Sequence, residues 1–354
     1  MIGGVRFKGI ASVPSKKIRW GILGVAGIAV RRVIPAMRAC QECEIVAIAS
    51  RDLHKAKETA RSLAIPRAWG SYDELLADPE IDVIYNPLPN HLHVPWSIRA
   101  AEAGKHVLCE KPVGMNAAEA RQLITARDRA GVKIGEGFMV RTHPRWLRVR
   151  QMVRDGRLGD LRVMTASCGY FNRNPHDVRN TLESGGGAML DIGCYPVTLS
   201  RFIFEQEPTR VSALIDRDPE MRTDRLTSAI LEFPGGQAVF TCSTQIGYNQ
   251  RMAFLGSKGR IEIDRPINPT IEEPSKIVIN DNPGDPTGGG IAIESIPACN
   301  QFTIQGDLFS KAVREGAEVP VPLEDSVKNM AVIDAIFRAA ESNRWETPLR
   351  SPSS

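Results

Sequence analysis

Two short stretches place residues of reactive type side by side. Cys109-Glu110-Lys111-Pro112 sets a charged pair directly after the apolar Val107-Leu108, and Asp191-Ile192-Gly193-Cys194-Tyr195, behind Gly185-Gly186-Gly187, sets a carboxylate and a phenol four residues apart. A lysine ammonium beside a substrate hydroxyl lowers the cost of a developing alkoxide, and a phenol can take or return its proton. Helical spacing from Ala188 puts Asp191 and Tyr195 on one face. That pair suits sugar hydroxyls, and a nearby lysine favours the phenolate. Glu110 can orient a ribose or the lysine, while Pro112 holds Lys111 extended. The competing reading makes Glu110 and Lys111 a sheet-edge ion pair and Tyr195 a packed aromatic bonded to Asp191. Arg173, His176 and Arg179, in the polar loop 171–183, can line a polyol pocket.

A second set of residues has the composition of a dinucleotide site. Ile18 to Ala29 reads as strand, tight turn and helix, the helix running from about Gly27 to Arg38. Gly24, Ala26 and Ala29 stand where the turn, the approach of a pyrophosphate and close helix–strand packing need small residues, with alanine in place of the middle glycine. Gly27 and Ile28 complete the turn, and Gly27 restores backbone freedom if positive φ is needed there. The next strand ends in Ser50-Arg51, where an NAD site has an acid. A hydroxyl and a guanidinium can hold a 2′-phosphate, so NADP is favoured, with NAD possible. The alternative is a solvated arginine at a strand end. In Asn86-Pro87-Leu88-Pro89-Asn90-His91-Leu92-His93 the prolines stiffen a loop suited to lie under the nicotinamide. Pro87, Asn90 and His93 are candidate cofactor contacts there, although Asn90 can instead cap the following helix; His91 is read as structural.

The elements that must position these groups follow from periodicity and punctuation. Strands at 18–23, 44–50, 81–86, 106–109 and 132–137 alternate with helices at 53–63, 71–77, 91–103 and 116–130, the signature of a doubly wound parallel sheet. Asp52, Ser71 with Glu74, and Asn116 have cap spacing, and Gly131 closes a helix. After a helix at 146–155 the rhythm changes to alternating strands at 161–169, 210–215, 226–233, 237–244, 251–255 and 260–264. One-sided strands of this kind predict a large, mainly antiparallel open sheet backed by helices. Residues 280–290 read as loop, and helices follow at 300–315 and 324–342. The expected class is α/β: a leader or arm at 1–16, a dinucleotide-binding domain at 17–140, an α+β substrate and oligomerisation domain at 141–345 and a tail at 346–354.

Composition bounds the function. The chain has 354 residues, 42% of them hydrophobic, which is enough for two cores. Its formal charge of +4 is spread along the chain, with no basic stripe for nucleic acid. No apolar run reaches membrane-spanning length and none of the first residues forms a signal peptide, so a cytoplasmic protein without a membrane partner is expected. Cys40-Gln-Glu-Cys43 has redox or metal spacing but no matching second pair. All seven cysteines are therefore read as free thiols and no metal is expected.

With these motifs in place, residues 17–345 resemble the glucose-fructose oxidoreductase / inositol dehydrogenase family of nicotinamide-dependent sugar oxidoreductases. Within it they resemble the subgroup of NADP-dependent D-xylose dehydrogenases and dimeric trans-dihydrodiol dehydrogenases. The resemblance rests on Glu110-Lys111-Pro112, on Asp191-x-Gly193-x-Tyr195 and on Trp20-Gly21-Ile22-Leu23-Gly24-x-Ala26-x-Ile28-Ala29. It implies Lys111 as the essential lysine beside the nicotinamide, Tyr195 as acid/base where many members have histidine, and Asp191 as a substrate partner. It also implies a homodimer or homotetramer packed through the second-domain sheet, and hydride exchange between NADP and a carbon of an aldose, polyol, keto-sugar or dihydrodiol. Two alternatives keep the same residues: a keto-sugar or anhydro-fructose reductase, and a non-catalytic NADP-binding sensor.

Overall fold

The structure is a computed structural model that describes residues 16–282, 284 and 290–348. Most of the expected leader, and the tail past residue 348, lie outside the described residues. The first half alternates β1 (Ile18–Leu23), α1 (Ile34–Met37), β2 (Cys43–Ala49), α2 (Leu53–Ser62), β3 (Arg67–Trp69), α3 (Tyr72–Ala77), β4 (Val83–Asn86), α4 (His93–Glu102), β5 (His106–Glu110), α5 (Ala117–Ala130) and β6 (Ile134–Gly137). These strands form one parallel sheet in the order β3-β2-β1-β4-β5-β6. The order reverses between β1 and β4, which opens a crevice beyond their carboxyl ends. The caps act as the sequence predicts. Asp52 accepts from the N–H groups of His54 and Lys55, Ser71 and Glu74 form a reciprocal capping box, and Gly131 ends α5 at φ +65°. Edge strand β3 is too short for periodicity to reveal.

The second half consists of α6 (Pro144–Arg154), β7 (Leu161–Phe171), α7 (Cys194–Phe204), β8 (Arg210–Arg217), β9 (Asp224–Phe233), β10 (Gly236–Ser243), β11 (Gln245–Gly256), β12 (Arg260–Asp264), β13 (Ser275–Asn280), β14 (Ile291–Ile296), α8 (Gln301–Glu315) and α9 (Leu323–Ser342). Its eight strands run in the order β14-β13-β12-β11-β7-β10-β9-β8, with only β7 and β10 parallel. The sequence reading has no β13 or β14. Both are short and extend an edge that β12 offers, so their pairing is a tertiary fact that local pattern does not encode.

Helix α7 is the pivot. Every residue from Cys194 to Ile203 is buried, because the helix is apolar on nearly all sides and lies between the second sheet and α9. Its one long charged side chain, Arg201, is answered by Glu207 and Asp325. Helix α8 returns to the first sheet, where Phe309 meets Trp20 edge-on at 5.5 Å and Trp20 Nε1 donates to Ser310 Oγ at 3.0 Å. Helix α9 packs on α5 and Asp334 accepts from the Ala117 N–H. The end of β5 and the start of α7 are thereby held at a common crevice. Among the described residues no helix is long and apolar enough to cross a membrane.

Candidate active site

Gly24 closes β1 at φ +75°, and a Cβ there would lie 2.9 Å from Leu88 Cδ2, so the turn needs glycine for conformation and for space. Residues 25–28 are partly exposed at its crest, where the first helical N–H groups find no intrahelical carbonyl. A π-helical turn, Ala29–Val33, leads into α1, and Ala29 is buried against the strand. Gly27 does not have positive φ; its missing Cβ leaves room for the Arg31 guanidinium, whose nearest nitrogen would sit 2.6 Å from a Cβ. The expectation for Gly27 is therefore corrected: it supplies space rather than backbone freedom. Beyond β2, Arg51 reaches the Tyr72 hydroxyl, which lies 3.4 Å from the place of a Gly24 Cβ. Ser50 is buried, and its oxygen accepts from the Asp52 N–H at 3.2 Å while its proton remains to be donated. A narrow turn flanked by Arg31 and Arg51 fits a dinucleotide phosphate.

The proline loop is held from below. Asn86 is fully buried and donates to the His93 carbonyl and to Ser97 Oγ. His93 is buried too, with Nδ1 2.7 Å from the Pro112 carbonyl oxygen and Nε2 2.6 Å from that of Leu88. Both ring nitrogens thus face backbone, and His93 ties the Pro87–Leu88 loop to the Lys111–Pro112 loop instead of offering a polar contact. Burial pushes its imidazolium down to about 4, against the pull of the two carbonyls. Asn90 makes no cap; its amide donates to the Gly185 carbonyl at 2.8 Å and joins this loop to the glycine run of the second half.

Lys111, Asp191 and Tyr195 do come together. Lys111 Nζ lies 2.5 Å from the Asp191 carbonyl oxygen, 3.4 Å from Asp191 Oδ1 and 5.0 Å from the centroid of the Tyr195 ring. Burial opposes charge on both members of the pair. For Lys111 the Asp191 carboxylate overcomes it, and for Asp191 Lys111 and then Arg179 do, so the ammonium is held above its ordinary value and the carboxyl below. Glu110 does not pair with the lysine; its Oε1 accepts from the Tyr85 hydroxyl at 2.7 Å, and burial raises its carboxyl.

Three sequence readings fail at the phenol. Tyr195 does not bond Asp191: its hydroxyl donates to Met139 Sδ at 3.5 Å and its ring meets Phe138 edge-on at 5.5 Å. Asp191 lies in a π-helical turn, Met189–Gly193, so the α-helical offset assumed between positions 191 and 195 does not hold. Nor is Tyr195 a phenolate, since burial, and after it the anionic forms of Cys194 and Glu110, hold its pKa well above the ordinary value. The phenol that does bond Asp191 is Tyr170, at the end of β7, whose hydroxyl donates to Oδ2 at 2.5 Å. Arg179 Nε donates to Oδ1 at 3.2 Å, as the polyol-pocket reading allows. Arg173 does not reach the cluster; it faces Glu220 and Asp218, and His176 is exposed. Sequence reasoning missed Tyr170 because a strand-end tyrosine far from Asp191 in the chain has no spacing signal.

Asp224, also missed, positions the helix bearing these groups. It is buried, its Oδ2 accepts from the Met189 N–H at 2.7 Å and from Thr227 Oγ1 at 3.0 Å, and burial raises its carboxyl to about 6. Gly187 makes room for it. At φ +118°, a Cβ on Gly187 would fall 1.9 Å from Asp224 Oδ1. Gly187→Ala is accordingly expected to destabilise the fold by roughly 2–5 kcal/mol, through backbone strain and overpacking together. Urea unfolding checks this, and a loss below about 0.5 kcal/mol would show that the glycine is dispensable.

Comparison with known proteins agrees with this geometry. Residues 18–138 match the family model described as the oxidoreductase family, NAD-binding Rossmann fold, and residues 146–262 match the GFO/IDH/MocA C-terminal domain. The chain belongs to the GFO/IDH/MocA oxidoreductase family. It is 35% identical over 325 residues to D-xylose 1-dehydrogenase (NADP(+)) 2 of Haloferax volcanii, covering 91% of this chain and 97% of the relative. The aldose-aldose oxidoreductase of Caulobacter crescentus superimposes with a TM-score of 0.86 at 30% identity, covering 94% of this chain and all of that one. A 3-ketoreductase of Actinomadura kijaniata, solved with NADP and TDP-benzene, superimposes with a TM-score of 0.85 at 30% identity, covering 92% of this chain and 98% of that one. This GFO/IDH/MocA member is an enzyme of the NAD(P)-binding sugar oxidoreductase class, with a Rossmann domain and a second, mostly antiparallel sheet.

Proposed function

We propose that the chain is an NADP-dependent oxidoreductase exchanging hydride with a carbinol or carbonyl carbon of a sugar or dihydrodiol. The observation behind this reading is the placement of Lys111 Nζ, 3.4 Å from Asp191 Oδ1 and over the Tyr195 ring, at the carboxyl end of β5. The nicotinamide, when bound, donates or accepts the hydride. In this reading the Gly24 turn and residues 26–29 receive the pyrophosphate, and Ser50 with Arg51 receives the 2′-phosphate. Lys111 binds the reacting oxygen, stabilising an alkoxide in oxidation and polarising a carbonyl in reduction. Tyr195 holds the exchangeable proton at its hydroxyl, and Asp191, braced by Tyr170 and Arg179, keeps Lys111 charged and orients a neighbouring substrate hydroxyl. The likeness to a 3-ketoreductase supports reduction of a keto-sugar as the second reading, with the Tyr195 phenol as the proton donor.

Fluorescence titration with NADPH and NADH, followed by turnover with a panel of aldoses, polyols, dihydrodiols and keto-sugars, tests this. NADPH should bind at least about tenfold more tightly, as charge-assisted contacts to one phosphate allow. Binding without turnover of any panel member would turn the assignment into the sensor reading.

We also infer a homodimer or homotetramer. The open face of the second sheet has a laterally paired row Ile230, Val239, Thr165, Ala253, Glu262, Val278 and Ile293. On the same face Leu214 is 74% exposed and Ile293 58%, apolar side chains that a second copy of the sheet would cover. Sedimentation velocity should find no monomer at micromolar concentration, and a monomer would remove this expectation.

A further inference from the structure

The edge of the first sheet opposite the nicotinamide crevice holds a cluster that no step above uses. Cys40 and Cys43 flank the turn ahead of β2, and Asp307 enters from α8. A sulfur from each cysteine and a carboxylate oxygen of Asp307 all lie within 4.8 Å of one another. Both cysteines are 1% exposed. Cys40 Sγ is 3.4 Å from the Thr303 carbonyl oxygen, one helical turn before Asp307. Asp307 is steered toward the sulfurs because its Oδ1 accepts from the Glu42 N–H at 2.9 Å, inside the Cys-x-x-Cys turn. Gly306 lets α8 come this close: a Cβ there would stand 3.1 Å from Cys40 Sγ.

We propose that Cys40, Cys43 and Asp307 form a structural site for a divalent transition metal, with zinc as the expected occupant. In a tetrahedral zinc site with Zn–S of about 2.3 Å and Zn–O of about 2.1 Å, neighbouring ligand atoms stand about 3.5–3.8 Å apart. The donor atoms, all within 4.8 Å of one another, need to close by no more than about an ångström to reach those edges, and the Thr303 carbonyl, 3.4 Å from Cys40 Sγ, or a water completes the tetrahedron. Two thiolates select zinc over magnesium or calcium, which take oxygen ligands. A bound dication takes both cysteines as thiolates and releases their protons.

The site is structural by position. It lies at the amino end of β2, and Ser50 follows the other end of that seven-residue strand, about 20 Å away. A metal there clips the turn before β2 to a helix from the far end of the chain and stiffens the seat of α8 on the first sheet.

The test uses the full chain, purified without chelator for elemental analysis and then stripped and titrated with cobalt(II). About one zinc per chain is expected, and cobalt should give the visible d–d bands of a tetrahedral ion with a thiolate charge-transfer band. Cys43→Ser and Asp307→Asn should lose the charge transfer or weaken cobalt binding at least about tenfold, while NADPH titration remains as in the parent chain. Excess zinc should raise the Tm of the stripped parent by about 3 °C or more and leave that of Cys43→Ser unmoved. If the variants fail to fold, the cobalt spectrum of the parent alone decides. A folded, stripped parent whose spectrum ignores cobalt and whose Tm ignores zinc overturns the proposal, as does purified protein with a Cys40–Cys43 disulfide and no metal.

Discussion

Lys111→Ala is expected to lower turnover by about 10²–10³-fold or more while changing NADPH affinity by only a few-fold. In the proposed reaction the ammonium meets the negative charge that develops on the reacting oxygen, and the surrounding carboxylate, carbonyl and aromatic ring fix its position. Its removal leaves Asp191 with Arg179 and Tyr170, so the fold should survive, which a thermal melt verifies. The pH dependence follows from the directions of the shifts. Asp191 is held below its ordinary value, so its stabilising charge is present above about pH 4 and is lost as pH falls through the folded value. Lys111 is held above its own, so its contribution is full below about pH 10 and is lost as pH rises through the folded value. Neither group should set a limb of the rate profile between about pH 5 and 9. Single-turnover reduction and NADPH titration of the variant check the expectation; turnover within tenfold of the parent chain would remove Lys111 from the chemistry.

Replacing the two phenols in turn should separate their roles. Tyr195→Phe is expected to reduce the rate of carbonyl reduction about 10²-fold, the usual worth of a positioned general acid, whereas Tyr170→Phe should cost less than about tenfold. Thioether sulfur is a weak acceptor, so the Tyr195 hydroxyl gives up Met139 for a substrate oxygen at little cost. The Tyr170 hydroxyl is committed to the Asp191 carboxylate and acts through it. Burial keeps Tyr195 protonated in the resting site, and the proton it gives up in the proposed reduction is replaced from solvent in each turnover. Pre-steady-state rates of the two variants give the answer, and the opposite order would move the proton to Tyr170.

Local chemistry made much of this legible. Asp52, Ser71 with Glu74, and Asn116 cap helices because their side chains reach N–H groups only a turn away, and Gly131 ends one because it tolerates φ +65°. The Cys40-x-x-Cys43 pair illustrates the limit. By itself it reads as two free thiols, and the carboxylate that makes it a donor set arrives from α8.

From sequence alone came the strand–turn–helix at Gly24 and the parallel sheet followed by a one-sided one, which depend on residue type and short periods, and Lys111, Asp191 and Tyr195 as candidate groups. Tertiary structure decided which partner each reactive group has. It gave Asp191 to Tyr170 and Arg179, turned Tyr195 toward Met139, enclosed His93 between two carbonyls and sent Arg173 to Asp218 and Glu220. The physical reason is one of range. Backbone preferences act over a few residues, whereas side-chain pairing and protonation depend on burial and on charges that only packing brings within a few ångströms.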